Sequence, residues 1–97
     1  KDVPDDLEAR LHLGHLAARL GDKEGALLAA KQSLQLAPKD GYTHFHVATI
    51  RAICGDADGA LDALRTAQDR GYYLKSELGN SDLDLLRGRE AFEALAS

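Results

Sequence analysis

Residues 21–27 of this chain read Gly-Asp-Lys-Glu-Gly-Ala-Leu, and residues 55–61 read Gly-Asp-Ala-Asp-Gly-Ala-Leu. The second stretch follows the first by 34 residues and differs from it at only two positions. A fixed period of this length is typical of helical repeats. The same offset aligns further residues of like type: His12 with His46, Leu13 with Val47, Gly14 with Ala48, Leu16 with Ile50, Ala18 with Ala52 and Ala29 with Ala63.

The order of residues within one period predicts a pair of helices. Gly21 is expected to end the first helix because only glycine enters the left-handed conformation without a steric cost. Asp22 then caps the next helix by accepting backbone N–H bonds, and Pro38 prevents that helix from continuing. We expect two such short-turn antiparallel pairs, the first over residues 5–38 and the second over residues 41–70.

Apolar residues at helical spacing predict the buried sides of the first pair. Asp5 is expected to cap the first helix, with Glu8 completing a capping box. Small side chains are expected to let the paired helices approach closely. The expected core residues are Leu7, Leu11, Leu13, Leu16 and Leu20 in the first helix, and Ala26, Leu27, Ala30, Leu34 and Leu36 in the second. The small residues are Gly14, Ala18, Ala26 and Ala29.

The composition fits one small all-helical domain spanning residues 1–97. Apolar residues make up 44% of the chain and charged residues 29%, as in soluble globular proteins. Strand-forming Val and Ile are sparse, and no segment alternates apolar and polar residues. Each pair of helices is therefore expected to pack on the next, giving an all-α fold.

Charge and hydropathy exclude several classes of function. The net charge is −4 with no basic tract, which argues against nucleic-acid binding. No apolar stretch approaches the roughly 18–20 residues of a membrane span. The single cysteine, Cys54, cannot form an internal disulfide, and this fits a reducing compartment such as the cytoplasm. The chain begins with Lys1 rather than Met, so we expect a processed chain or a piece of a longer protein.

These features resemble the tetratricopeptide repeat family over residues 7–74. The residues that match the family pattern are Leu13-Gly14, Gly21-Asp22, Ala26-Leu27 and the Leu-Gln-Leu-Ala-Pro run at 34–38. The second unit departs from the pattern, because Tyr72 stands where the family has its helix-ending proline. We expect Gly71 to end that helix instead. The resemblance implies a short right-handed α-solenoid of two helix pairs plus a C-terminal helical cap.

Residues 71–97 break the period and are expected to form this irregular helical cap, as terminal repeats are commonly atypical. Ser81 is expected to be an N-cap, followed by acids that suit the helix dipole. Gly88 interrupts the helix. The segment also loosely resembles the ends of tetratricopeptide arrays in large bacterial signalling proteins. That resemblance implies an alternative function, an intramolecular accessory module of a kinase or cyclase.

In the resembled fold, the first helices of successive units line a concave groove that binds a peptide or protein. The chain is therefore expected to be a protein-interaction or scaffolding module. Phe45 and Tyr42 are the expected anchors, although Phe45 packing between units remains an alternative. Partner binding is expected to be lost in Phe45→Ala at a lower cost in stability than in Leu27→Ala. The groove residues carried over from the family are Leu11, His12, His15, Arg19, Tyr42, Phe45, His46 and Thr49.

The remaining chemistry-bearing residues point to no catalytic site. The chain lacks a phosphate-binding glycine loop, a Gly-x-Ser-x-Gly elbow and a His-Glu-x-x-His motif, so we expect neither enzyme activity nor a cofactor. His12, His15 and His46 leave metal binding as a minor alternative. Polar groove-lining histidines are the favoured interpretation. Cys54 is expected to be a buried structural thiol, and His44 a half-buried structural residue.

Overall fold

Helices account for all the regular secondary structure in the part of the chain that is described. The computed structural model describes residues 5–77 and 79–96, and these ranges contain no strand. The elements are α1 (Asp5–Arg19), α2 (Lys23–Leu36), α3 (Gly41–Ile53), α4 (Ala57–Asp69), a 3₁₀ helix (Ser81–Leu86) and α5 (Glu90–Ala96). The predicted all-α class is confirmed for these residues. Within them, no helix combines the length and the apolar character that crossing a membrane requires.

Both predicted turns have the expected geometry. Gly21 has a φ of 86°, in the left-handed region that disfavours other residues. The Asp22 carboxylate accepts a hydrogen bond of 3.0 Å from the Gly25 amide and caps α2. Residues 55–59 repeat this geometry, with a φ of 89° at the glycine and a capping bond of 3.0 Å. These two turns place each pair of helices antiparallel.

The core is formed where α3 meets the first pair. α1 packs on α2, α3 packs on α4, and α3 also contacts both α1 and α2. A Cβ atom at Gly14 would lie only 2.7 Å from Cδ1 of Ile50 and 3.4 Å from Cβ of Ala29. Gly14 therefore creates a notch that receives Ile50, which is fully buried. The position of Gly14 next to Ala29 fits the predicted close approach of the paired helices α1 and α2, whereas the contact of Gly14 with Ile50 of α3 was not predicted.

The predicted apolar stripe of α1 requires a correction. Leu7 and Leu11 are buried, but Leu13, Leu16 and Leu20 are exposed. These three leucines lie on a side of α1 that no described element covers. In α2, alanines contribute more buried residues to the core than leucines, although Leu34 is partly buried against it, as predicted. Leu27 and Leu36 are exposed, whereas Ala26 and Ala30 are buried.

The segment after α4 packs on the second pair. Gly71 has a φ of 88° and follows α4, as predicted. The 3₁₀ helix contacts α3 and α4, and α5 contacts α4. Leu83 and Leu86 are fully buried by these contacts. Gly88, which was expected to interrupt the helix, lies between the 3₁₀ helix and α5 with a φ of 85°.

Two predicted caps have different outcomes. Ser81 is not an N-cap, because Asn80 caps the 3₁₀ helix by accepting a hydrogen bond of 2.9 Å from the Asp82 amide. The amide side chain of Asn80 reaches the second residue of the helix, so Ser81 becomes the first helical residue. Asp5 is the first residue described in α1, and its side chain lies outside the described part of the chain.

The structure predicts that Phe45→Ala destabilises the chain more than Leu27→Ala, which is the reverse of the order expected from the sequence. Phe45 is 2% exposed, whereas Leu27 is 39% exposed. Phe45→Ala should lower the free energy of unfolding by about 3–5 kcal/mol, because it leaves a core cavity. Leu27→Ala should cost about 1 kcal/mol or less, because much of that side chain is already hydrated. Urea denaturation of both variants measures the difference, and an equal or greater loss in Leu27→Ala would contradict this packing.

Gly41 allows the chain after α4 to pass close to the start of α3. A Cβ atom at Gly41 would lie 2.9 Å from Cβ of Tyr72 and 3.0 Å from the Ala67 carbonyl oxygen. Gly41→Ala should therefore destabilise the chain by about 1–3 kcal/mol through overpacking, despite the better helix propensity of alanine. Gly79→Ala is the matched control, because no atom lies within 4 Å of its added Cβ. Equal denaturation midpoints for the two variants would disprove the close approach.

Candidate functional site

A small polar pocket lies where α1, α3 and the start of the 3₁₀ helix meet. Its volume is about 260 Å³. We call it the His15 pocket. The lining residues are His12, His15 and Arg19 from α1, Phe45, His46 and Thr49 from α3, and Asn80 and Asp82 from the chain around the start of the 3₁₀ helix. The pocket therefore combines six of the eight predicted groove residues with two that the sequence analysis did not assign to it.

Hydrogen bonds at the back of the pocket involve His15. The Thr49 hydroxyl donates to the His46 carbonyl oxygen at 2.7 Å. That hydroxyl oxygen is 3.2 Å from Nε2 of His15, and Nδ1 of His46 is 3.3 Å from the same nitrogen. Nε2 of His15 therefore either donates to the Thr49 hydroxyl or accepts from Nδ1–H of His46, according to the tautomer. Nδ1 of His15 is buried and has no hydrogen-bond partner within the described residues.

Burial keeps the imidazole of His15 neutral at physiological pH. Loss of hydration lowers the pKa of His15 from 6.5 to about 4, with a further lowering from His46 and Arg19. Asp82 acts in the opposite direction but does not outweigh these effects. Burial also lowers the pKa of His46, against the raising effect of Glu8 and other carboxylates. The floor of the pocket is consequently polar but uncharged.

An ion pair at the rim connects α1 to the C-terminal segment. Nη2 of Arg19 lies 2.8 Å from Oδ2 of Asp82. Arg19 is largely exposed, so this pair should contribute no more than about 1 kcal/mol to stability. Its effect on the pocket is to place a carboxylate beside the guanidinium, so that the charge of Arg19 is paired rather than isolated.

The aromatic residues predicted as anchors are engaged within the chain. The ring of Tyr72 stacks on Phe45 at a centroid distance of 5.1 Å. Tyr42 packs edge-on against His46 at 4.3 Å, and its hydroxyl donates to Oε1 of Glu8 at 3.3 Å. Phe45 is thereby buried, so its ring does not present free surface to a partner. This packing corrects the expectation of an exposed aromatic anchor.

The other predicted groove residues divide by exposure. His12 and Arg19 are exposed, while His15, His46 and Tyr42 are partly buried. Leu11 and Thr49 are buried, and Leu11 belongs to the core rather than to the pocket. Sequence reasoning did not assign Asn80 or Asp82 to the site. No local signal marks these two residues, because only the tertiary path of the C-terminal segment brings them to α1.

The minor alternative of a metal site gains no support from the geometry. Among the residues at 5–77 and 79–96, no three His, Cys, Asp or Glu side chains form a group that could hold a metal ion. His15 and His46 hydrogen-bond to each other, and His12 lies on the exposed rim. Cys54 is buried, as expected, and its burial raises the pKa of the thiol. His44 is half-buried and bonds the Pro38 carbonyl oxygen.

His15 predicts a specific pH dependence of stability. Its pKa is about 4 in the folded chain and near 6.5 in the unfolded chain. As the pH falls from about 6.5 towards 4, the unfolded state takes up a proton that the folded state does not. Over this window the free energy of unfolding should therefore fall more steeply with decreasing pH in the wild type than in His15→Gln. Above about pH 7 it should change with pH in the same way in both proteins. Urea denaturation across the pH series measures both; parallel curves throughout would show that His15 is not shielded.

Comparisons with known proteins identify no relative. No family model, curated protein or solved structure matches the chain. The resemblance to tetratricopeptide repeats therefore rests on the motifs in the sequence.

Proposed function

We propose that the chain is a protein-interaction module without catalytic activity, which binds a segment of a partner protein at the His15 pocket. Its framework would be a short right-handed α-solenoid, with two tetratricopeptide-like helix pairs and a helical cap over residues 71–97. The packing of α3 against both α1 and α2 supports this arrangement. A reducing compartment such as the cytoplasm suits its unpaired Cys54.

The observation that carries the proposal is the His15 pocket itself, in which six of the eight predicted groove residues meet around a polar floor formed by His15, His46 and Thr49. The pocket that His15 lines holds about 260 Å³, below the roughly 300–1,000 Å³ of typical small-molecule sites. This volume suits one side chain of a bound peptide better than a cofactor.

The electrostatics select the class of side chain. The imidazole of His15 is neutral, and Arg19 is paired with Asp82. A carboxylate or ammonium group entering the pocket would lose hydration without gaining an opposite charge. A neutral polar group, such as the amide of Asn or Gln or the hydroxyl of Ser or Thr, loses less hydration and can both donate and accept a hydrogen bond. We therefore propose a partner segment that inserts a neutral polar residue.

This proposal modifies the groove expected from the sequence. His12, His15, Arg19 and His46 keep a role in selecting polar groups. Phe45 and Tyr42 instead shape the wall of the site, since Tyr72 covers the ring of Phe45. The alternative of an accessory module in a larger signalling enzyme stays a prediction. In that case the same pocket would receive a segment of the catalytic domain.

Selection from a displayed library of random peptides tests this function. The enriched peptides should share one neutral polar residue, and their affinity should fall by roughly 3–10-fold in His15→Phe, which removes one hydrogen bond. Lys31→Ala is the control, because Lys31 is exposed on α2 and does not line the pocket. Circular dichroism verifies that both variants are folded.

Two results would contradict the proposal. One is that no peptide is enriched above the background of an uncoated surface. The other is that the enriched peptides bind the wild type and His15→Phe equally well. If the enriched peptides are acidic or basic and their binding is still lost in His15→Phe, the location of the site would be supported, but the proposal of a neutral ligand side chain would be wrong.

A further inference from the structure

A row of exposed apolar residues runs along one side of α1. Leu13, Leu16 and Leu20 are 56%, 48% and 76% exposed, and Ala9 on the same side is exposed as well. Their spacing of four, three and four residues places them on one stripe of an α-helix. We call these four residues the leucine face. Single exposed leucines are ordinary, but an aligned stripe marks an interaction surface.

The second helix pair shows what such a stripe packs against. The residues 34 positions later are Thr43, Val47 and Ile50 on α3 and Cys54, which directly follows α3. All four are buried, with exposures of 0%, 0%, 0% and 6%. α3 packs against the first helix pair, and Ile50 fills the notch at Gly14 beside Ala29. The packing of α3 on the first helix pair is therefore an example, within this chain, of the kind of contact that the leucine face lacks.

We infer that the leucine face is a docking surface for a further antiparallel helix pair whose small residues form a notch like that of Gly14. Leu16 corresponds to Ile50 and would enter that notch. Leu13 and Leu20 correspond to Val47 and Cys54 and would pack on either side of it. The residues are larger than their counterparts in the second pair at two of these positions, so the docking pair needs glycine or alanine at the contact.

A second copy of this chain does not fit as the occupant. Its notch at Gly14 is already filled by Ile50. The equivalent positions of the second pair are Ala48, Ala60 and Ala63, and these are at most 3% exposed. Within the residues that the structure describes, a copy therefore has no open notch to offer. The helix pair has to come from outside them.

The leucine face is separate from the His15 pocket. Leu13, Leu16 and Leu20 do not line that pocket, and they occupy different positions around α1 from His12 and His15. The inference therefore does not depend on the proposed function. Either can fail without the other.

A tandem protein tests the inference. In this tandem, an additional copy of residues 7–40 is joined directly to the N-terminal end of residues 7–97. The added helix pair then stands before α1 in the same register in which the first pair stands before α3. Unfolding should be a single cooperative transition, with a melting temperature higher than that of the original chain by about 5 °C or more. Leu16→Asp in the original α1 of the tandem should abolish this gain. The same substitution in the unextended chain should lower the melting temperature by less than it does in the tandem, because Leu16 is about half exposed there.

The contradicting results are equally specific. A tandem whose added pair unfolds in a separate transition, stays unfolded or does not raise the melting temperature would overturn the inference. So would a gain that survives Leu16→Asp. Sedimentation of the unextended chain tests the rival occupant: a dimer that Leu16→Asp dissociates would assign the leucine face to a second copy instead.

Discussion

The close approach of α3 to the first helix pair is the contact on which the rest of the structure depends. Ile50 enters a notch that exists only because residue 14 has no side chain. Interiors are packed as densely as organic crystals, so a Cβ atom at this position would force the end of the Ile50 side chain to move. Val47 is also buried on α3, and α3 packs beside α1. His46 and Thr49 thereby come within hydrogen-bonding distance of His15.

Residues 71–77 and 79–86 then determine how much of α3 remains accessible. Tyr72 covers the ring of Phe45, while Leu83 and Leu86 are buried in the core. The side of α3 that the repeat pattern leaves for a partner is therefore largely occupied by the chain itself. What remains is the polar opening between His12 and Asp82. This explains why the candidate site is small, neutral and hydrogen-bonding rather than aromatic.

Local features of the fold could be predicted from the sequence, and long-range ones could not. The turns at Gly21 and Gly55 follow from left-handed backbone and a capping aspartate, which involve only neighbouring residues. The exposure of Leu16 could not be predicted, because helical spacing identifies a stripe but not whether another element covers it. The stacking of Tyr72 on Phe45 joins residues far apart in sequence. The same limit applies to Asp82 at the His15 pocket.

Nuclear Overhauser contacts of the Ile50 Cδ1 methyl group test the central packing most directly. Cross-peaks are expected from that methyl group to the Hα protons of Gly14, since a Cβ atom on Gly14 would lie only 2.7 Å from Cδ1 of Ile50. An Ile50 methyl group that shows contacts only within α3 and α4 would contradict the account. The first helix pair would then not hold α3, and the pocket built on that contact would not form.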